Sequence, residues 1–155
     1  MPREHFDADH EFLAREDILT YEEITKIAST LMPLGLAKLR ITGGEPLMRK
    51  DIVKLVRMLR DLNGDVDLAM TTNGVLLKRH AASLKDAGLD RVTVSLDALD
   101  TDLFQSMGDT HHSPEEVMAG VDAALEVGLQ VKVNMVVQRN VNESQVVPIA
   151  AFCFE

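Results

Sequence analysis

The stretch Leu84-Lys85-Asp86-Ala87-Gly88-Leu89-Asp90-Arg91-Val92-Thr93-Val94-Ser95-Leu96-Asp97 holds the pattern that decides the fold. A helical segment over residues 76–87 runs into Gly88, where a left-handed C-terminal cap favours glycine, and a strand over 91–96 follows at once. The same order recurs along the chain. A helix to about Leu34 precedes Gly35 and a strand over 37–42; a helix over 51–62 precedes Gly64 and a strand over 67–72; a helix over 114–127 precedes Gly128 and a strand over 131–137. A last helix starts from Asn142. Helix, glycine and strand repeated in this way predict a parallel sheet with right-handed crossovers, either doubly wound or curled toward a (β/α) barrel. Three helix starts carry capping signatures: Thr20 with Glu23, where Leu19 and Ile24 would form the staple, Ser113 with Pro114 and Glu116, and Asn142 with Gln145.

Successive side chains of a strand point to opposite faces, so each strand can be read by parity. One parity is apolar: Leu39 and Ile41, Leu68 and Met70, Val92, Val94 and Leu96, Val131, Val133 and Met135. The other carries Lys38, Arg40 and Thr42, then Thr71 and Asn73, then Thr93, Ser95 and Asp97, then Lys132 and Asn134. Parallel sheets buried on both sides read as near-continuous apolar runs, so four polar parities in phase predict a face that lines something wet or charged. A barrel lumen open to ligand fits this best; an edge or solvent-exposed face is the plainer alternative.

Composition narrows the function. With 155 residues, 46% hydrophobic and 26% charged, the chain is expected to be one globular domain over residues 1–155. Twenty-five acids against 16 bases, a formal charge of −9, argue against a nucleic-acid or anionic-membrane surface, though not against a local basic pocket. The single cysteine, Cys153, excludes an internal disulfide framework and any site needing three thiolates from this chain. No run of eighteen apolar residues occurs, and Met1 to Glu11 is polar where a signal peptide would be apolar, which predicts a cytoplasmic location.

Chemistry concentrates where strands end. Thr42-Gly43-Gly44-Glu45-Pro46 closes the first strand, and a glycine pair there allows close backbone approach to a ligand or simply a tight turn steered by Pro46. Thr71-Thr72-Asn73-Gly74 and Ser95-Leu96-Asp97 close the next two, readable as ligand loops or as helix-entry and Ser/Asp turns. An inward basic residue such as Arg40 or Lys132 needs an anion or a carboxylate; phosphate is the natural guest, and a salt bridge to Asp97 the alternative. His111 and His112 lie in a polar loop and read as solvated, while Met32, Met58, Met70, Met118 and Met135 fall mostly on apolar faces. Neither a dinucleotide-binding nor a P-loop glycine fingerprint is present.

The run Lys38-Leu39-Arg40-Ile41-Thr42-Gly43-Gly44-Glu45-Pro46-Leu47-Met48-Arg49, followed by Thr71 to Gly74, Ala87 to Val92 and Ser95 to Asp97, resembles the GTP 3',8-cyclase family of radical S-adenosylmethionine enzymes, which acts in molybdenum cofactor biosynthesis. The resemblance extends from Met1 to about Ile149 and includes Met1 to Phe6. It implies a partial TIM-like (β/α) barrel of the radical SAM type, lacking its first strand and C-terminal part. By the same resemblance Arg40, Thr71 and Lys132 contact GTP, and Gly44 and Ser95 contact S-adenosylmethionine, with no residue acting as a general acid or base. In the family a 4Fe–4S cluster splits S-adenosylmethionine, and the resulting radical takes hydrogen from C3' of GTP so that C3' joins C8 of guanine. The family's three-cysteine cluster loop would end immediately before Met1, and its second cysteine motif lies beyond Glu155. The resemblance therefore implies an internal fragment whose cluster ligands are absent, expected to be inactive alone, or else a non-catalytic nucleotide-binding remnant; the full-length family also implies a possible homodimer. All five implied contact residues fall on the polar parity or directly beyond it.

Overall fold

The computed structural model describes residues 17–62 and 65–154. The expectations for Met1 to Phe6 and for Gly64, along with Glu155, lie outside the described residues. Helix α1, Tyr21–Leu31, begins where the sequence signature places it: the Thr20 side chain accepts from the Glu23 amide at 3.1 Å, and the Thr20 amide donates to Glu23 Oε2 at 2.8 Å. Two otherwise unpaired donors are thereby satisfied, which sets the helix start. Leu19 stays 47% exposed, so it adds little burial as a staple. A 3-10 turn, Met32–Leu34, tightens the end, and Gly35 closes it at φ 86°, in the left-handed region.

Strand β1 covers Lys38–Ile41 and is followed by a 3-10 turn, Pro46–Met48, then helix α2, Ile52–Leu62. Strand β2 is Asp67–Thr72, helix α3 Leu77–Asp86, and strand β3 Arg91–Ser95. Two helices cross over next. The first, α4, Thr101–Gly108, has no counterpart in the sequence expectation; Asp100 starts it by accepting from the Leu103 amide at 2.9 Å. The second, α5, Pro114–Glu126, carries the expected capping box, with the Ser113 amide donating to Glu116 Oε2 at 2.9 Å. Strand β4, Gln130–Asn134, is shorter than expected, and the chain then turns through Glu143–Gln145 into helix α6, Val146–Phe152.

All strand pairs are parallel, and the sheet order is β1-β2-β3-β4. A doubly wound sheet reverses its order at a switch point and is covered on both faces. Here the order runs one way. The apolar parity of all four strands, including Met70, Val92 and Val94, packs with Leu55, Leu77, Leu84 and Val117 of the helices in one core. The opposite parity is left outside that core, as in one side of a (β/α) barrel.

Arg60 of α2 ties the strand N-terminal side together. Its guanidinium donates to the carbonyls of Gly88 at 2.7 and 2.9 Å and of Val66 at 2.9 Å and pairs with Asp90, whose Oδ2 accepts from the Leu68 amide at 2.7 Å. Gly120 of α5 packs against the turn that enters α3, where an added Cβ would stand 2.6 Å from the Gly74 carbonyl oxygen and 3.1 Å from Leu77 Cβ. One partner in that clash is backbone and cannot swing away. The Gly120→Ala protein is expected to lose about 1–3 kcal/mol of stability, read as a lower urea midpoint in equilibrium unfolding; an unchanged midpoint would show that the two helices can part without cost.

Candidate functional site

The register fixes which side chains share the polar face. Lys38 pairs with Asp67; Arg40 with Ala69, Arg91 and Gln130 in one row; Thr71 with Thr93 and Lys132 in the next; Ser95 with Asn134. Arg40, Thr71, Ser95 and Lys132 therefore project from one side of the sheet, in rows next to one another. The face is not polar at every position, because Ala69 interrupts the second row. Ala69 and Thr93 are also buried, at 0% and 7% exposure.

Charge on this face is sorted along the strands. At its lower end Asp67 takes two hydrogen bonds from the Arg91 guanidinium, one of 2.9 Å from Nε, and lies 3.5 Å from Lys38 Nζ. The Arg91 hydrogen bonds hold the Asp67 carboxyl below its ordinary range, and Asp67 in turn raises Arg91. Higher up, Arg40 and Lys132 are exposed and make no ion pair or hydrogen bond among the described residues. The alternative partner, Asp97, is committed elsewhere: its Oδ1 accepts from the Val136 amide at 2.8 Å. The desolvation argument for an inward cation does not hold for this sheet, since four strands leave the face open to water where a barrel of about eight would enclose it. Among the described residues, Arg40 and Lys132 thus remain as unneutralised cations on the same face.

The glycine pair is held by the residue after it. Glu45 accepts from the Leu47 amide at 3.0 Å and the Thr72 hydroxyl at 2.8 Å through Oε1, and from the Asn73 amide at 2.7 Å through Oε2. One carboxylate thus joins the loop after β1 to the end of β2. The sequence pattern gives Glu45 no role of its own; an acceptor-only side chain directly behind a glycine pair, at a strand end rich in free amides, is the signal that points to it. A Cβ built on Gly44 meets nothing within 4 Å, so the backbone edge there stands open to a ligand. Asn73 and Gly74 make the helix-entry turn of the plainer reading, Asn73 Oδ1 accepting from the Val75 amide at 3.1 Å, with Gly74 at φ 82°.

Asn142 corrects an expectation. It does not form a capping box with Gln145; its side chain is fully buried, donating to the carbonyls of Asp97 and Val136 at 2.8 and 2.9 Å and accepting from the Gln138 amide at 2.8 Å. Gln145 Oε1 accepts from the amides of Leu99 and Asp100 at 2.9 and 3.2 Å. These backbone groups, among them the distant Asp97 carbonyl and the amides of Leu99 and Asp100, outcompete the cap because, once buried, they have no water to turn to. The loops after β3 and β4 are latched together as a result.

A cavity of about 440 Å³ opens beside β1, between α1 and α2. Arg40, Gly43 and Gly44 reach it, whereas Thr71, Ser95 and Lys132 lie outside it on the open face. Arg40, Thr71, Ser95 and Lys132 thus share a face and not one hollow, and the apolar wall of the cavity, with Ile27 at 50% and Leu31 at 42% exposure, borders the edge of β1 that no described strand pairs. His111 and His112 are exposed, with His112 Nδ1 3.1 Å from Glu116 Oε2. Met70 is in the core, and Met118 lines a second groove beside β4.

Residues 4–153 match the family model of the Radical SAM superfamily. The chain belongs to that superfamily. A GTP 3',8-cyclase of Staphylococcus carnosus (strain TM300) is 44% identical over 152 residues, 98% of this chain and 45% of that protein, and one of Staphylococcus saprophyticus is 45% identical over the same spans. The chain thus spans somewhat less than half the length of these relatives. Among solved structures, Streptococcus suis SuiB bound to S-adenosylmethionine has a TM-score of 0.75 at 21% identity, covering 94% of this chain and 32% of that one. Methylornithine synthase has a TM-score of 0.71 at 18% identity, covering 86% and 41%. Both likenesses bear on the fold alone: the four parallel strands with helices on one side form part of a radical SAM barrel.

The iron–sulfur cluster that the superfamily implies does not fit the donors of this chain. Cys153, its one cysteine, is exposed just after α6, beside the groove along β4 and away from Gly44. Among the described residues no group of three His, Cys, Asp or Glu side chains could hold a metal ion. For S-adenosylmethionine the site is better suited, with open backbone at Gly44 and a Ser95 hydroxyl that makes no hydrogen bond among the described residues.

Replacing the Glu45 carboxylate by an amide removes an acceptor oxygen and sets an NH2 group against a backbone amide. Glu45→Gln is expected to cost about 1–3 kcal/mol in urea unfolding and to speed hydrogen exchange at the Asn73 amide; unaltered exchange at Asn73 would contradict the tie.

Proposed function

We propose that this chain, over residues 1–155, is a partial core domain of a GTP 3',8-cyclase, binding GTP through Arg40, Thr71 and Lys132 and S-adenosylmethionine through Gly44 and Ser95. The observation that carries the reading is the register, which aligns Arg40, Thr71, Ser95 and Lys132 on one face, where among the described residues neither cation meets a carboxylate. The identity to cyclases supports the substrate class. Arg40 offers a planar fork of donors to phosphate oxygens and Lys132 a mobile point charge, so the two suit a polyanionic nucleotide. Thr71 can donate to or accept from the sugar or base. The Gly44 backbone and the Ser95 hydroxyl orient the second ligand beside the first. The work of these groups is positioning, and none needs to move a proton. Among the described residues no helix is long and apolar enough to cross a membrane. Under this reading the chain acts in the cytoplasm on small molecules, neither nucleic acid nor membrane being a partner, and the longer protein forms a homodimer.

Isothermal titration of the whole chain with GTP tests the assignment. Arg40→Ala and Lys132→Ala are each expected to weaken binding roughly ten-fold or more, as loss of a charge-assisted hydrogen bond does, and added salt should weaken the parent's binding. Binding untouched by both substitutions would reject the phosphate roles.

A second reading, a nucleotide-binding remnant without catalysis, is favoured by the single cysteine. One thiolate cannot supply the cysteine set of a 4Fe–4S cluster. Anaerobic incubation of the chain with iron and sulfide is expected to leave no cluster absorbance after desalting, and a stoichiometric cysteine-ligated cluster would overturn that expectation.

A further inference from the structure

The row that links Thr71 to Lys132 has a third member. Thr93 is the Cα partner of both, so it stands midway between them. Neighbouring strands lie about 4.8 Å apart, which separates Thr71 from Lys132 by roughly 10 Å across the sheet. A single molecule that touches both side chains from the polar face must pass over Thr93. The chain neighbours of Thr93, Val92 and Val94, are fully buried in the core, so alternation turns its hydroxyl to the other side. The residue is 7% exposed, yet among the described residues the hydroxyl makes no hydrogen bond. Thr25 and Thr30 donate to helix carbonyls, and Thr72, of the core-facing parity, donates to Glu45. A strand offers Thr93 no such carbonyl, because those of a ladder are engaged by the next strand.

Among the described residues no buried side-chain nitrogen or oxygen lacks a partner, so this unbonded hydroxyl reaches the open face, where water or a ligand can complete its bond. We propose that Thr93 is a further ligand-contact residue of this site, hydrogen-bonding the polar part of the nucleotide that spans Thr71 and Lys132. This rests on the nucleotide-binding reading of the same face. The hydroxyl both donates and accepts, so it suits a sugar hydroxyl or a phosphate oxygen and disfavours an apolar bridging group.

The test pairs binding with stability in the whole chain. Thr93→Val keeps the shape and the strand preference and removes only the hydroxyl. Titration with GTP should show binding about five-fold weaker, the size of one net hydrogen bond, while the urea midpoint stays level because the hydroxyl has no hydrogen-bond partner among the described residues to lose. Thr93→Ser, which retains the hydroxyl, should bind within about two-fold of the parent. A Thr93→Val protein that loses both binding and stability would overturn the inference in favour of a structural role. So would unaltered GTP binding in Thr93→Val beside weakened binding in Lys132→Ala, which leaves the site standing and removes Thr93 from it. Absence of GTP binding in the parent, or binding insensitive to all of these substitutions, removes the site and the inference together.

Discussion

Strict alternation along four parallel strands, held in one register, is the constraint on which everything else in this chain depends. Each strand must bury one parity against helices to contribute to the core, and pairing with its neighbours then forces the other parity onto a common face. Had one strand slipped by a single residue, its apolar set would have faced water and its polar set the core. The hydrophobic effect thereby specifies the candidate site indirectly: burying Leu68, Met70, Val92 and Val94 requires that Thr71, Thr93 and Ser95 point away.

Two kinds of polar contact turn that shared face into a defined surface. Salt bridging at the lower end neutralises Asp67 against Arg91 and Lys38, which leaves the field above to Arg40 and Lys132. Hydrogen bonds at the upper end fix the loops: Glu45 joins the glycine loop to the end of β2, and Asn142 and Gln145 join the loops after β3 and β4. Both ties are long in sequence and short in space. The strand C-terminal ends are therefore held rigid relative to one another, as a site that works by positioning requires.

Element types were legible in the chain because they follow from local chemistry. Thr20 and Ser113 cap their helices through partners three residues away, and Gly35, Gly88 and Gly128 adopt the positive φ that their place after a helix demands. The boundaries of β4 and the presence of α4 were less legible. The polar face ends at Asn134 since Val136 is held by Asp97 of another loop, and α4 depends on the cap at Asp100 in a segment without a strong apolar stripe. Asn142 carried a local signature of a cap and instead satisfies distant carbonyls, because burial raises the cost of leaving those carbonyls unpaired.

By itself the sequence determined the repeated order of helices and strands, the two parities of each strand, and a set of motifs specific enough to name a family; these depend on neighbours within a few residues. Only the tertiary structure decided that among the described residues Arg40 and Lys132 stand unpaired while Arg91 and Lys38 do not, that Glu45 rather than the glycines holds the loop, and that Thr93 sits between Thr71 and Lys132. Strand pairing joins residues tens of positions apart, and no local pattern encodes which of them will lie side by side.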